Sequence, residues 1–166
     1  MGTALVTRGV LGGAILAITG LPAFAQALAT HRVPAALALE AVGAAVEACK
    51  AQGYATTAVL VDASGARQAL LRGDNAGVHT LDSAFGKAYT SASFKGPSAA
   101  VAERLLAHPP TAQLGLLPHV LLLGGGLPIK IGDEVVGGIG VSGAPGGEKD
   151  EACARAALDK IGDRLK

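Results

Sequence analysis

Gly supplies 24 and Ala 34 of the 166 residues, so in more than a third of the chain the side chain is a hydrogen atom or one methyl group. A core built from such residues packs backbones closely and covers little area per residue. Large side chains cannot carry this fold. There is no Trp, and only two Tyr and three Phe occur.

Lys plus Arg number 14 and Asp plus Glu 13, and 16% of residues are charged against about a quarter in an ordinary globular chain. That balance argues against a disordered polyelectrolyte and, with no basic block, against a nucleic-acid binder. Two cysteines without a CxxC motif exclude a disulfide-dense scaffold, a thiolate zinc site and covalent haem attachment through CxxCH. The length suits one domain. A mean hydropathy of +0.43 raises the question of a membrane span.

The apolar excess is concentrated at the start. Arg8 precedes the uncharged run Val10 to Leu21, followed by Pro22 and the small-x-small site Ala23-Phe24-Ala25, the grammar of a signal peptide. The run has 12 residues, too few to cross a bilayer of about 30 Å as a helix, which weighs against an uncleaved anchor. Residues 1–25 are expected to be a leader and 26–166 a single domain, periplasmic or secreted, with no membrane span once the leader is removed. In an oxidising compartment Cys49 and Cys153 could pair; the alternative is two buried thiols acting as small hydrophobes.

Pro34 and the spacing of Leu39, Val42, Val46 and Cys49 predict a helix over 34–52, closed by Gly53. Thr56 to Asp62 and Ala66 to Arg72, separated by Ser64-Gly65, predict a hairpin. Thr80 caps a helix running to about Lys95, and Ser98 a third helix over 99–107. The proline-rich stretch 108–118 reads as irregular. Three strands are predicted at 120–123, 127–131 and 134–141, the last two joined by Gly132-Asp133. Gly137, Gly138 and Gly140 mark close approach of another backbone or a bend. A helix from about 148 to 165 ends the chain. The pattern is α+β, one antiparallel sheet with helices packed on it.

At 100° per residue, His79, Ser83, Lys87, Thr90 and Phe94 fall on one face of the second helix, about 80° wide, while Leu81, Ala84, Phe85, Ala88 and Ala92 form the opposite, buried face. The first face is either the wet side of a surface helix or the wall of a pocket of mixed polarity; it holds one formal charge and ends in an aromatic, which favours the pocket. His79 is a candidate metal ligand, Lys87 a partner for a ligand carboxylate, and Thr90 a neutral oxygen between them. His108 and His119 stand in the proline-rich connection and read as surface histidines. Asp62 and Asp74 are too isolated to form a carboxylate pair, and Gly124 to Gly126 precede a strand, not a phosphate-binding helix.

Five segments in order, AVLVDASG (58–65), LLRGDNAG (70–77), SAFGKAYTSASF (83–94), GGGLPI (124–129) and VVGGIGVSGAPGGEKDEACA (135–154), make the chain resemble the GlcG/HbpS-like haem-binding family, whose members are often labelled haem-degrading domains. The resemblance implies a five-stranded antiparallel sheet flanked by helices, in a profilin/PAS-like layout, and homo-oligomers. It also implies that the K-A-x-T helix borders the ligand pocket, here Lys87 and Thr90. The expected function is that of an exported protein holding haem noncovalently, with His79 or Thr90 on the metal, Lys87 near a propionate, and Ser83 and Phe94 on the same wall. Haem handling, redox sensing through a sensor-protein partner, and haem breakdown are extensions of it. The competing reading is a cofactor-free lyase or isomerase acting on a small organic acid in the same pocket, with Lys87 or His79 moving protons.

Overall fold

A computed structural model describes residues 1–2 and 30–165. Apart from its first two residues, the expected leader and its small-x-small site lie outside the described residues. Among the described residues no helix is long and apolar enough to cross a membrane.

Helix α1 (Ala35–Lys50) follows Pro34 and buries Leu37, Ala38, Ala41, Val42, Ala45, Val46 and Cys49 on one stripe. It stops where Gly53 takes φ +82° and the Tyr54 N–H returns to the Cys49 carbonyl at 3.0 Å, a left-handed turn that carries no Cβ penalty for glycine. Strands β1 (Thr57–Asp62) and β2 (Arg67–Arg72) form the expected hairpin. Its turn is tied by Asp62, whose Oδ1 accepts from the Ser64 N–H at 2.8 Å, the Ser64 hydroxyl at 2.6 Å and the Ala66 N–H at 3.1 Å. Burial opposes ionisation of Asp62, but these bonds outweigh it and hold the carboxyl below its ordinary value.

Next come α2 (Thr80–Phe94), α3 (Ser98–Leu106), the short α4 (Pro109–Ala112) with a 3-10 turn over Gln113–Leu116, β3 (Gly126–Ile131), β4 (Glu134–Ser142) and α5 (Gly147–Ile161). The stretch 108–118 is thus less irregular than its prolines suggest. Helix α5 ends four residues before the expected Leu165, passing into a 3-10 turn over Gly162–Arg164.

The sheet is antiparallel throughout, in the order β2-β1-β4-β3. The α+β class holds, with four strands among the described residues where five are expected. The missing one is Val120 to Leu123. Its backbone groups are taken by side chains and by local turns: the Thr90 hydroxyl accepts from the Leu121 N–H at 2.8 Å and donates to the Leu121 carbonyl at 3.2 Å, the Ser98 hydroxyl donates to the Leu123 carbonyl at 2.7 Å, and the Val120 and Leu123 N–H groups donate to the Leu117 and Leu121 carbonyls. A segment whose polar groups are satisfied by helix side chains gains nothing from pairing with a strand.

Alternation along the strands divides the core. Ala58 and Leu60 of β1 and Ile139 and Val141 of β4 face α1 and α5, whereas Val59 and Val61 face Ala84, Phe85, Ala88 and Ala92 of α2. Gly138 and Gly140 stand on the α2 side, and a Cβ at either would overlap the carbonyl oxygen of Ala88 or Ala84 respectively. The glycine signal in the last strand therefore marks close approach, as expected. On the other side of the sheet Cys49 and Cys153 are disulfide-bonded, their Cα atoms 5.5 Å apart, and join α1 to α5.

These contacts fix the sign of three substitutions. Gly140→Ala drives a methyl group into the α2 backbone and should cost about 1–3 kcal/mol or more, as overpacking does. Gly43→Ala lies within α1 with nothing within 4 Å of the added methyl, and should stabilise by about 0.5–1 kcal/mol through helix propensity. Denaturant unfolding of the two variants against the parent measures both; a Gly140→Ala protein as stable as the parent would refute the close-approach account. Cys49→Ala/Cys153→Ala should lower the unfolding free energy by about 2–5 kcal/mol, read in the same titration.

Candidate functional site

The expected face of α2 divides into two environments. His79 is exposed at the N-terminal end of the helix and Ser83 is half-buried, but Lys87 and Thr90 are buried and Phe94 is half-buried. The cover is the segment leading to β3. Gly86 of α2 is what admits it, since a Cβ there would lie 2.8 Å from Cβ of Leu121. Thr90, expected as a metal-ligand candidate, has its hydroxyl committed to both backbone groups of Leu121.

Lys87, expected to pair with a ligand carboxylate, already has a carboxylate. Its ammonium donates to Asp150 Oδ2 at 2.7 Å and to the Val141 carbonyl at 3.1 Å, and both side chains of the pair are almost wholly buried. Asp150 sits in the first turn of α5, and its Oδ1 accepts from the Ala144 N–H at 2.9 Å. Burial is the strongest influence on this carboxyl and raises it above the ordinary aspartate value, against the opposing pull of Lys87 and Ala144. The pair forms the floor of a cleft of about 340 Å³, whose walls include Ser142 and the glycine-rich turn 143–147.

A second cleft, of about 420 Å³, lies beside the first, and His79 and Ser83 border both. Its wall is mainly apolar, formed by Phe85, Val120 and Leu121, with Arg67, Asp82 and His119 also lining it. The Arg67 guanidinium lies 3.5 Å above the centre of the Phe85 ring. The His119 ring lies 5.0 Å from Phe85 and 5.5 Å from Tyr89. The His31 ring donates to Glu134 Oε2 at 2.6 Å, whereas among the described residues the rings of His79 and His119 have no such partner. Larger hollows, of about 480 Å³ beside Tyr54 and about 540 Å³ beside Glu148, have no imidazole on their walls.

Arg67, Phe85, His119 and Asp150 are absent from the sequence-based set. Phe85 falls on the helix face expected to be core and His119 in a connection without periodicity. Asp150 is 63 residues from the lysine it pairs with. No local spacing marks any of them; the one usable sign was a lysine on a helix face with no carboxylate one turn away.

The ion pair makes a prediction. Lys87→Met leaves a buried carboxylate without its counter-charge and should cost about 3–5 kcal/mol at neutral pH, while Lys87→Met/Asp150→Leu should recover most of it. Because the folded-state value of Asp150 is raised, its contribution to stability is fully present below the ordinary aspartate value and is lost as pH rises through the raised one. The Lys87→Met defect should therefore shrink at acid pH; a defect independent of pH in chemical denaturation would contradict the pairing.

Comparison with known proteins places the chain. A family model described as "Haem degrading protein HbpS-like" matches residues 33–159. The crystal structure of HbpS superposes with a TM-score of 0.77 at 36% identity, covering 82% of this chain and 94% of that one. A double mutant of the Streptomyces reticuli HbpS gives 0.78 at 35% identity over 90% and 98%. The Klebsiella pneumoniae protein ORFY gives 0.76 at 26% identity over 86% and 98%. An uncharacterized 15.0 kDa protein of the dhaT-dhaS intergenic region of Citrobacter freundii is 31% identical over 104 residues, 60% of this chain and 71% of its own.

Proposed function

Since the chain belongs to the HbpS-like haem-degrading family, we propose that it is an exported, oligomeric haem-binding protein, holding haem noncovalently in the cleft between α2 and the segment that precedes β3. The observation that carries this reading is the exposed His79 imidazole on the border of an apolar cleft. The residues present meet the needs of the group: an imidazole for the metal, the half-buried Val120 and Leu121, backed by the buried Phe85, for the porphyrin, and the Arg67 guanidinium for a propionate. Arg67 takes the role first assigned to Lys87, whose charge is matched internally by Asp150. Bound there, haem would supply an iron centre whose redox and oxygen chemistry is its own.

Export is supported by the leader grammar and by a disulfide of the kind that persists in oxidising compartments. Assembly is supported by Leu70 and Leu71, 42% and 38% exposed on the edge strand β2, since a long apolar edge is usually paired or covered. Haem delivery to a sensor-protein partner would use the same open cleft.

Titrating hemin into the protein lacking residues 1–25 should give a saturable Soret shift, and His79→Ala should weaken binding at least tenfold. No Soret change with the parent protein would overturn the reading. It would also turn attention to the smaller cleft, where the buried Lys87–Asp150 pair and the Ser83 and Ser142 hydroxyls, 2.7 Å apart, could serve proton transfer on a small organic acid. A Soret band that persists under reductant and oxygen would exclude haem breakdown.

A further inference from the structure

We infer that His119 is a second iron ligand of this cleft and that Thr90 is the residue that positions it. The inference rests on the haem reading above and deepens it.

His119 has φ +68°, a left-handed conformation that residues other than glycine adopt at a cost. Histidine is among those that tolerate it, yet something must hold it there. Two contacts do so. The Thr90 hydroxyl clamps both backbone groups of Leu121, two residues further on. Beneath, the bare Cα of Gly86 leaves room for the same segment, with the His119 carbonyl 3.4 Å from where a Cβ would stand.

The imidazole that this turn presents is exposed but not free to swing. It packs against Phe85 and Tyr89, with ring centres 5.0 and 5.5 Å away. An unconstrained surface histidine would have no such double contact. Orientation is thereby restricted while neither ring nitrogen is used within the described residues, in a cleft that His79 also borders. Imidazole is the common proximal donor to haem iron. The Thr90 hydroxyl, which accepts from the Leu121 N–H and donates to the Leu121 carbonyl, serves here as the clamp that holds the turn.

The test uses the ferric haem complex of the protein lacking residues 1–25, and its metal-free form. His119→Gly removes the imidazole while suiting the left-handed backbone, so the variant should fold. Its haem complex should lose low-spin character and bind hemin at least tenfold more weakly, and free imidazole should restore the low-spin spectrum. Thr90→Val should reproduce the spectral change, and Thr90→Ser, which keeps the hydroxyl, should not. In the metal-free protein the His119 ring protons should show ring-current shifts from Phe85 and Tyr89, lost in Thr90→Val and kept in Thr90→Ser. A His119→Gly complex with parental spin state and affinity overturns the ligand assignment even though haem binds. Ring-current shifts that survive Thr90→Val overturn the positioning role. Absence of hemin binding by the parent overturns the haem reading and the ligand assignment together, while the metal-free shifts still decide the role of Thr90.

Discussion

The structure depends on helix α2 lying directly on a glycine surface. Gly138 and Gly140 of β4 and Gly126 of β3 face the carbonyl oxygens of Ala88, Ala84 and Lys87, and a Cβ at any of the three would collide with them. Helix and sheet therefore meet backbone to backbone, with Ala84, Ala88 and Ala92 as the side chains between. Such contact gives dense dispersion interactions from little apolar area. It also leaves no tolerance, because neither partner has a flexible side chain that could move aside. The abundance of Gly and Ala is what this geometry requires.

A helix this close to the sheet brings its flanks within reach of neighbours. On one flank Lys87 extends past the end of β4 to Asp150 and the Val141 carbonyl. That ties α2 to the first turn of α5, which the disulfide ties to α1 one turn later. On the other flank Gly86 and Thr90 draw in the segment before β3. The buried charges are costly in isolation, and burial is the leading influence on Asp150. Their value lies in register: a lysine that must find one particular carboxylate admits fewer ways of docking α5 than an apolar contact would.

What was legible in the sequence follows the same division. The α1 stripe, both hairpins, the Gly132-Asp133 turn and the glycines of β4 are local patterns, and each appears as expected except that Leu39 of the α1 stripe is exposed and Leu37 is buried in its place. The angular count on α2 groups the residues of one face but carries no information about what lies over it. The cover is Val120 to Leu123, whose apolar run reads as a strand because nothing in its own composition reveals that Thr90 and Ser98 satisfy its backbone. From the sequence the polar residues of that face look wet or ligand-facing, whereas Thr90 and Lys87 hold other parts of the chain. Hydroxyl-to-backbone clamps across some thirty residues leave no periodic signal.

The site inherits this dependence. The segment that covers the polar side of α2 is also the one that carries His119 to the cleft, so the contacts that complete the fold are the contacts that shape the site. With few aromatics in the chain, placing Phe85 and Tyr89 together beside His119 concentrates its bulk at one place. Arg67, at the start of the edge strand β2, reaches the same ring from the sheet. Small residues thus set the spacing between α2 and the sheet, and the aromatic bulk of α2 gathers on the side where the segment before β3 packs. The edge strand and the cleft then share a residue, so any partner that paired with β2 would touch the margin of the cleft through Arg67.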